Sequence, residues 1–139
     1  MASKPDRLRP PPSTRLAEPE MLLDLRGTLR ALRAESHPAI DGHRQIGLLH
    51  RGSLRMVAFA FDAGGYLGEH RAPGVVLIQV LTGSLRVKTP GATHELGAGE
   101  ALVLDPEIPH RVEAAVASDM LLMVCLESPR EMASEPDQA

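Results

Sequence analysis

Between Arg44 and Glu127 every apolar run is short, and glycine, proline or another turn former closes it. The segments 44–49 and 54–61 flank His50-Arg51-Gly52-Ser53, a hairpin turn. Segments 66–71, 74–81, 84–89, 92–96, 100–105, 110–116 and 120–127 follow, separated by Asp62-Ala63-Gly64-Gly65, Thr82-Gly83, Pro90-Gly91 and Gly97-Ala98-Gly99. In 84–89, Leu85 and Val87 alternate with Ser84, Arg86 and Lys88, the period of a half-buried strand. Turn signals recur about every 8–12 residues with no helix between them, which predicts an all-β barrel or sandwich.

One strand constrains the packing further. Val76, Ile78 and Val80 lie on one face of 75–81, and Val75, Leu77 and Leu81 on the other, with Gln79 the single polar residue. A strand apolar on both faces is buried on both. One face lines the container, and the other needs a cover from an N-terminal helix or from a second subunit, which predicts a homodimer. Residues 19–36 supply the helix. Pro19 suits a first helical position, and Glu20 and Asp24 lie where the helix dipole favours anions. Leu22, Leu25, Leu29 and Leu32 recur at the spacing of one helical face, opposite Arg26, Arg30 and Arg33. Gly27 weakens that helix by about 1 kcal/mol relative to alanine.

The remaining sequence divides simply. Residues 1–18, proline-rich and basic, have little to bury and read as a disordered tail, as do the polar residues 128–139. The β domain spans 43–127. With 43% hydrophobic and 24% charged residues among 139, the chain falls in the globular range and suffices for one cored domain. A net charge of −3 and only three aromatic residues argue against nucleic acid as a partner. No apolar run approaches the roughly 18–20 residues of a membrane helix, and the N-terminal residues lack the apolar core of a secretory signal. A cytoplasmic location is expected. Cys125 is the sole cysteine and reads as a small core residue.

Two stretches carry the chemistry. Gly65-Tyr66-Leu67-Gly68-Glu69-His70 leads through residues 71–82 to Gly83. Gly99, the strand Ala101–Leu104, Asp105-Pro106-Glu107-Ile108-Pro109-His110 and Val112 answer it downstream. Together they resemble the two motifs of the cupins, small double-stranded β-helix barrels with the RmlC-like, jelly-roll arrangement. The resemblance spans residues 44–127 and implies a barrel with His70 and His110 inside it. It also implies one divalent transition metal, held by two histidines and a carboxylate or amide of the first motif and one histidine of the second. His70 and His110 match two of those positions. Ala72 stands at the second-histidine position and Val76 at the carboxylate position, so the set is incomplete and metal binding is expected to be weak or absent. Glu69 and Gln79 have the wrong strand parity to reach the same point unless a bulge intervenes. His43, His50, His94, Met56 and Met123 are other donors that could complete the set. On residue context alone, His37 and His43 belong to a solvated linker and His94 to the surface. Arg71 and Arg111, each following a site histidine, should point away from the lumen.

No phosphate-cradling glycine loop, G-x-S-x-G elbow, CxxC pair or HExxH occurs, so no nucleotide cofactor or nucleophilic hydrolysis is expected. Three functions then compete. One is a small protein that binds an organic ligand in a lumen lined by His70, Ala72, Val76 and His110. Another is a metal-dependent isomerase, lyase or oxygenase acting on a small organic acid or ketone. A barrel serving only as a structural or regulatory dimer is the third.

Overall fold

Asp24, not Pro19, opens the helix. Its carboxylate accepts the Gly27 N–H at 3.0 Å, and the helix α1 runs Leu25–Arg33. A Cβ on residue 27 would sit 2.3 Å from Asp24 Oδ2, so the glycine that weakens the helix also admits its cap. The helix expected over 19–36 is therefore shorter at both ends. Leu22, placed on its buried face by periodicity, precedes the cap and is 98% exposed, whereas Leu29 and Leu32 are buried. The computed structural model describes residues 19–126. The expected tails 1–18 and 128–139, and Glu127, lie outside the described residues.

Nine strands follow: β1 His43–Arg51, β2 Leu54–Phe61, β3 Tyr66–His70, β4 Val75–Thr82, β5 Ser84–Lys88, β6 Thr93–Gly97, β7 Ala101–Leu104, β8 His110–Glu113 and β9 Ser118–Cys125. They form two antiparallel sheets, β1-β2-β9-β4-β7 and β3-β8-β5-β6. The all-β reading and its strand positions match this architecture. The closed barrel does not, because each sheet keeps two free edge strands and the described residues form an open pair of sheets. The change of sheet at Gly83 shows why. With φ +83° it turns β4 out of the five-stranded sheet and β5 into the other, so that ladder is not continued around a barrel wall. A Cβ there would meet Ser118 Oγ at 2.3 Å. The buried Ser118 hydroxyl accepts the Ser84 N–H at 3.1 Å, tying the corner to β9.

Alternation sorts the side chains between two cores. Val76, Ile78 and Val80 of β4 join Phe59, Phe61, Leu85, Val87, Leu104, Val112, Met120 and Val124 in the main buried cluster, to which both sheets contribute. The opposite face of the five-stranded sheet meets α1, where Leu29 and Leu32 pack with Leu48, Ala58, Ala60 and Leu121. Arg33 fastens the helix end, donating to Asp119 Oδ1 at 2.6 Å and to the Ser118 carbonyl at 3.0 Å. The outer face of β4 is covered only in part, α1 reaching it through Leu81. The helix touches chiefly β1 and β2. The far side of the sheet keeps Val75 and Val103 exposed.

Two assignments change. His43 is not in a solvated linker. It begins β1, buried, with its ring 5.8 and 5.6 Å from Phe59 and Phe61 and its Nδ1 2.9 Å from the Tyr66 carbonyl. Strand parity, not the polarity of its neighbours, decides this. Cys125 is exposed rather than a core residue, because Val124 takes the inward position beside it.

Candidate functional site

A bulge aims the first histidine. In the β3–β8 ladder Leu67 pairs with Val112 and His70 with His110, so β3 spends three steps where β8 spends two. The extra residue falls at Gly68-Glu69. Without it, alternation from the core residue Leu67 would turn His70 outward. With it, His70 stands directly opposite His110, and the ring centroids are 4.2 Å apart with planes at 61°. The proline corner does the same work downstream. Glu107 adopts φ +69°, and its N–H donates to the Ala72 carbonyl at 2.8 Å, pinning the approach to His110 against the end of β3.

Both imidazoles are oriented alike. His70 Nδ1 lies 2.9 Å from the Gly68 carbonyl, and His110 Nδ1 lies 2.9 Å from the Ile108 carbonyl. A carbonyl only accepts, so each neutral ring carries its proton on Nδ1 and leaves Nε2 as a bare lone pair. His110 is 2% exposed. Burial lowers its pKa, the Ile108 hydrogen bond opposes that, and the charge of a protonated His70 would lower it further. His110 is therefore neutral at pH 7 and presents an acceptor.

That shift has a pH signature. Unfolded, His110 titrates near the ordinary value of about 6.5, and folded it titrates lower, so the unfolded chain binds more protons between the two values. Its contribution is fully present above pH of about 6.5 and is lost as pH falls through that window. Urea midpoints measured with EDTA from pH 7.5 down to 5 should fall more steeply in the wild type than in His110→Gln. Equal slopes would show that His110 is not the group responsible.

The other expected site residues are apolar. Ala72 is half-buried against the main core, and Val76 is buried within it on β4, opposite Leu104 and Val124. Neither supplies a donor atom. Glu69 is exposed beside the bulge. Gln79 pairs with Leu121 of the helix-side cluster and faces away from the interior. Met56 packs in that same cluster, and Met123, beside the inward Val124, faces the same way; His50 is exposed on the first hairpin. His94 pairs with Val87 on β6, separated from β8 by β5. Arg71 is exposed, and Arg111 lies outside with its guanidinium 4.6 Å from the Tyr66 ring centre, as alternation predicts. Among the described residues no group of three or more His, Cys, Asp or Glu is placed to hold a metal ion. Nor is any helix among them long and apolar enough to cross a membrane.

Sequence reasoning found the histidines and missed what orients them. The Gly68 and Ile108 carbonyls each lie two residues before the histidine they hold, a spacing visible in Gly68-Glu69-His70 and Ile108-Pro109-His110. The bulge had one sign in the sequence, a glycine inside a short strand pattern.

An all-β pair of sheets with two histidines paired across the neighbouring strands β3 and β8 defines the class. The cupin-domain family model matches residues 57–126, half of the chain, and this chain belongs to the cupin family. No curated protein matches it. Among solved structures it is similar to a conserved protein of unknown function from Streptococcus pyogenes, with 27% identity and TM-score 0.62 over 80% of this chain and 91% of that one. It is also similar to a cupin superfamily protein from Desulfitobacterium hafniense, with 14% identity and TM-score 0.63 over 81% and 96%. A third similar structure is KdgF from Halomonas sp., with 20% identity and TM-score 0.60 over 68% and 89%.

Proposed function

We propose that this cupin binds a small organic ligand at the corner where His70 and His110 meet, with Ala72 and Val76 as its apolar lining. The observation that carries this reading is the pair of carbonyl-anchored imidazoles, each with a bare Nε2. Holding two rings in one tautomer fixes two acceptors for the polar atoms of a ligand. Apolar neighbours then supply contact area, the usual division of labour in a small-molecule site. A metal-dependent enzyme acting on an organic acid or ketone is the second reading. It is favoured by the same anchors, because a carbonyl on Nδ1 is what orients a metal-ligating histidine. Native mass spectrometry of tag-free protein should reveal a co-purified small molecule, or melting should shift with small hydroxy or keto acids. Either signal should disappear in His70→Ala. Neither signal in the wild type would overturn the ligand reading.

We further propose that a second copy covers the rest of the five-stranded sheet. The register aligns Leu54, Cys125 and Val75 in one row, and Met56, Met123, Leu77 and Val103 in the next. These rows face away from the main core, and Leu54, Val75 and Val103 are exposed. None of the seven is charged, so two copies related by a two-fold axis bring no like charges together. Sedimentation should show a dimer that dissociates in Val75→Asp/Val103→Asp. Because both positions are exposed, those changes should leave the subunit folded. A monomeric wild type would remove the proposal.

A further inference from the structure

A groove runs between α1 and the end of β4, on the outer side of the five-stranded sheet and away from the His70–His110 corner. Its volume is about 440 Å³, within the range of small-molecule sites. Leu25, Leu29 and Leu81 line its apolar side, and Arg26, Arg30 and Arg33 its charged one. The helix sets this division, because the arginines recur at steps of four and three residues beside the leucine stripe that docks on the sheet. Arg33 is already engaged. It donates to Asp119 Oδ1 at 2.6 Å, while Asp119 Oδ2 accepts the Thr82 hydroxyl at 3.1 Å. Asp119 is the one carboxylate that lines the groove, so Arg26 and Arg30 stand exposed with no carboxylate partner among the described residues. Three arginines against one aspartate leave a positive excess here, in a chain whose formal net charge is −3. Leu25 and Leu81 beside them are only half-buried. The Asp24 cap holds one end of α1 and Arg33 fastens the other, so the groove is shaped before anything enters it.

We propose that this groove binds a medium-chain alkyl carboxylate, its head bridging the Arg26 and Arg30 guanidinium groups and its chain lying along Leu25, Leu29 and Leu81. Residues four apart on a helix have their Cβ atoms about 5–6 Å apart, so one head group reaches both side chains. Each carboxylate oxygen then accepts a charge-assisted hydrogen bond from a guanidinium. A purely polar anion would leave the leucines wet, and a neutral hydrocarbon would leave both cations without a partner. A flat anionic membrane would meet the arginines without entering the groove, so the occupant is the free carboxylate. Its alkyl chain also separates it from the small hydroxy and keto acids suited to the histidine corner.

The test is calorimetry on the full chain, tag-free, at pH 7.5 and low salt. The probes are hexanoate, octanoate and decanoate below micelle formation, with acetate and octanol as controls. Octanoate should bind at one equivalent, and acetate and octanol at least about tenfold more weakly. Each methylene from hexanoate to decanoate should tighten binding about threefold. Added salt should weaken it. The variant Arg26→Gln/Arg30→Gln, changed only at exposed positions, should stay folded and bind octanoate at least about tenfold more weakly, whereas His70→Ala should bind it as the wild type does. Loss of binding in His70→Ala with retention in the arginine variant would assign the anion to the histidine corner and overturn the groove. Several equivalents that the arginine variant leaves intact, or an affinity independent of chain length, overturn it as well. So does the absence of octanoate binding, whether or not the protein floats with phosphatidylglycerol vesicles.

Discussion

Replacing Leu32 by alanine should lower the unfolding free energy by about 2–4 kcal/mol, whereas Leu22→Ala should leave it unchanged. Leu32 is 1% exposed beneath α1, among Leu29, Leu48, Ala58, Ala60 and Leu121, so truncation leaves a cavity that the sheet below cannot fill. Leu22 precedes the Asp24 cap and has nothing to lose. Urea unfolding of the two variants reads the difference directly. Equal destabilisation would mean that the helix begins before Asp24 and buries both leucines. If neither variant is destabilised, α1 does not dock on the sheet.

That contrast also shows where the sequence was legible. Leu22, Leu25, Leu29 and Leu32 have identical credentials as a stripe, and only the competition between two start signals separates them. Pro19 favours an early start, but the Asp24 carboxylate satisfies a backbone N–H that Pro19 cannot, and the helix forms where its free donors are met. Strand positions were easier to read, because glycines and prolines enforce turns locally. Barrel closure was not, since it depends on which strands pair at a distance, and Gly83 moves β5 to another sheet without any local sign of the destination. At the site, the resemblance to the cupin motifs implied that His70 and His110 share one interior, and the structure brings their rings to 4.2 Å. What makes them a matched pair is a one-residue bulge and two carbonyls. Backbone features of that kind leave little trace in side-chain identity.

The double substitution Ala72→His/Val76→Glu should turn the corner into a site that holds zinc by itself. Val76 is 2% exposed in the main core. In EDTA, therefore, a glutamate there is a buried charge without a partner, and the variant should lose about 3–5 kcal/mol of stability. Zinc offsets part of that loss, because the carboxylate and the added imidazole join His70 and His110 in a four-ligand set. Binding only the folded state, zinc at about 100 times its dissociation constant restores about 2.7 kcal/mol, so melting should climb with zinc concentration in the variant. In the wild type it should stay flat. Ala72→His alone, at a half-buried position, adds a third nitrogen without a buried charge and keeps the test decisive if the double variant does not fold. Three neutral donors should hold zinc more tightly than two and less tightly than the full set. A double variant that folds yet retains no more zinc than the wild type, with Ala72→His equally indifferent, would mean that residues 72 and 76 do not face the imidazole pair. The missing donors would then have to be sought on other strands.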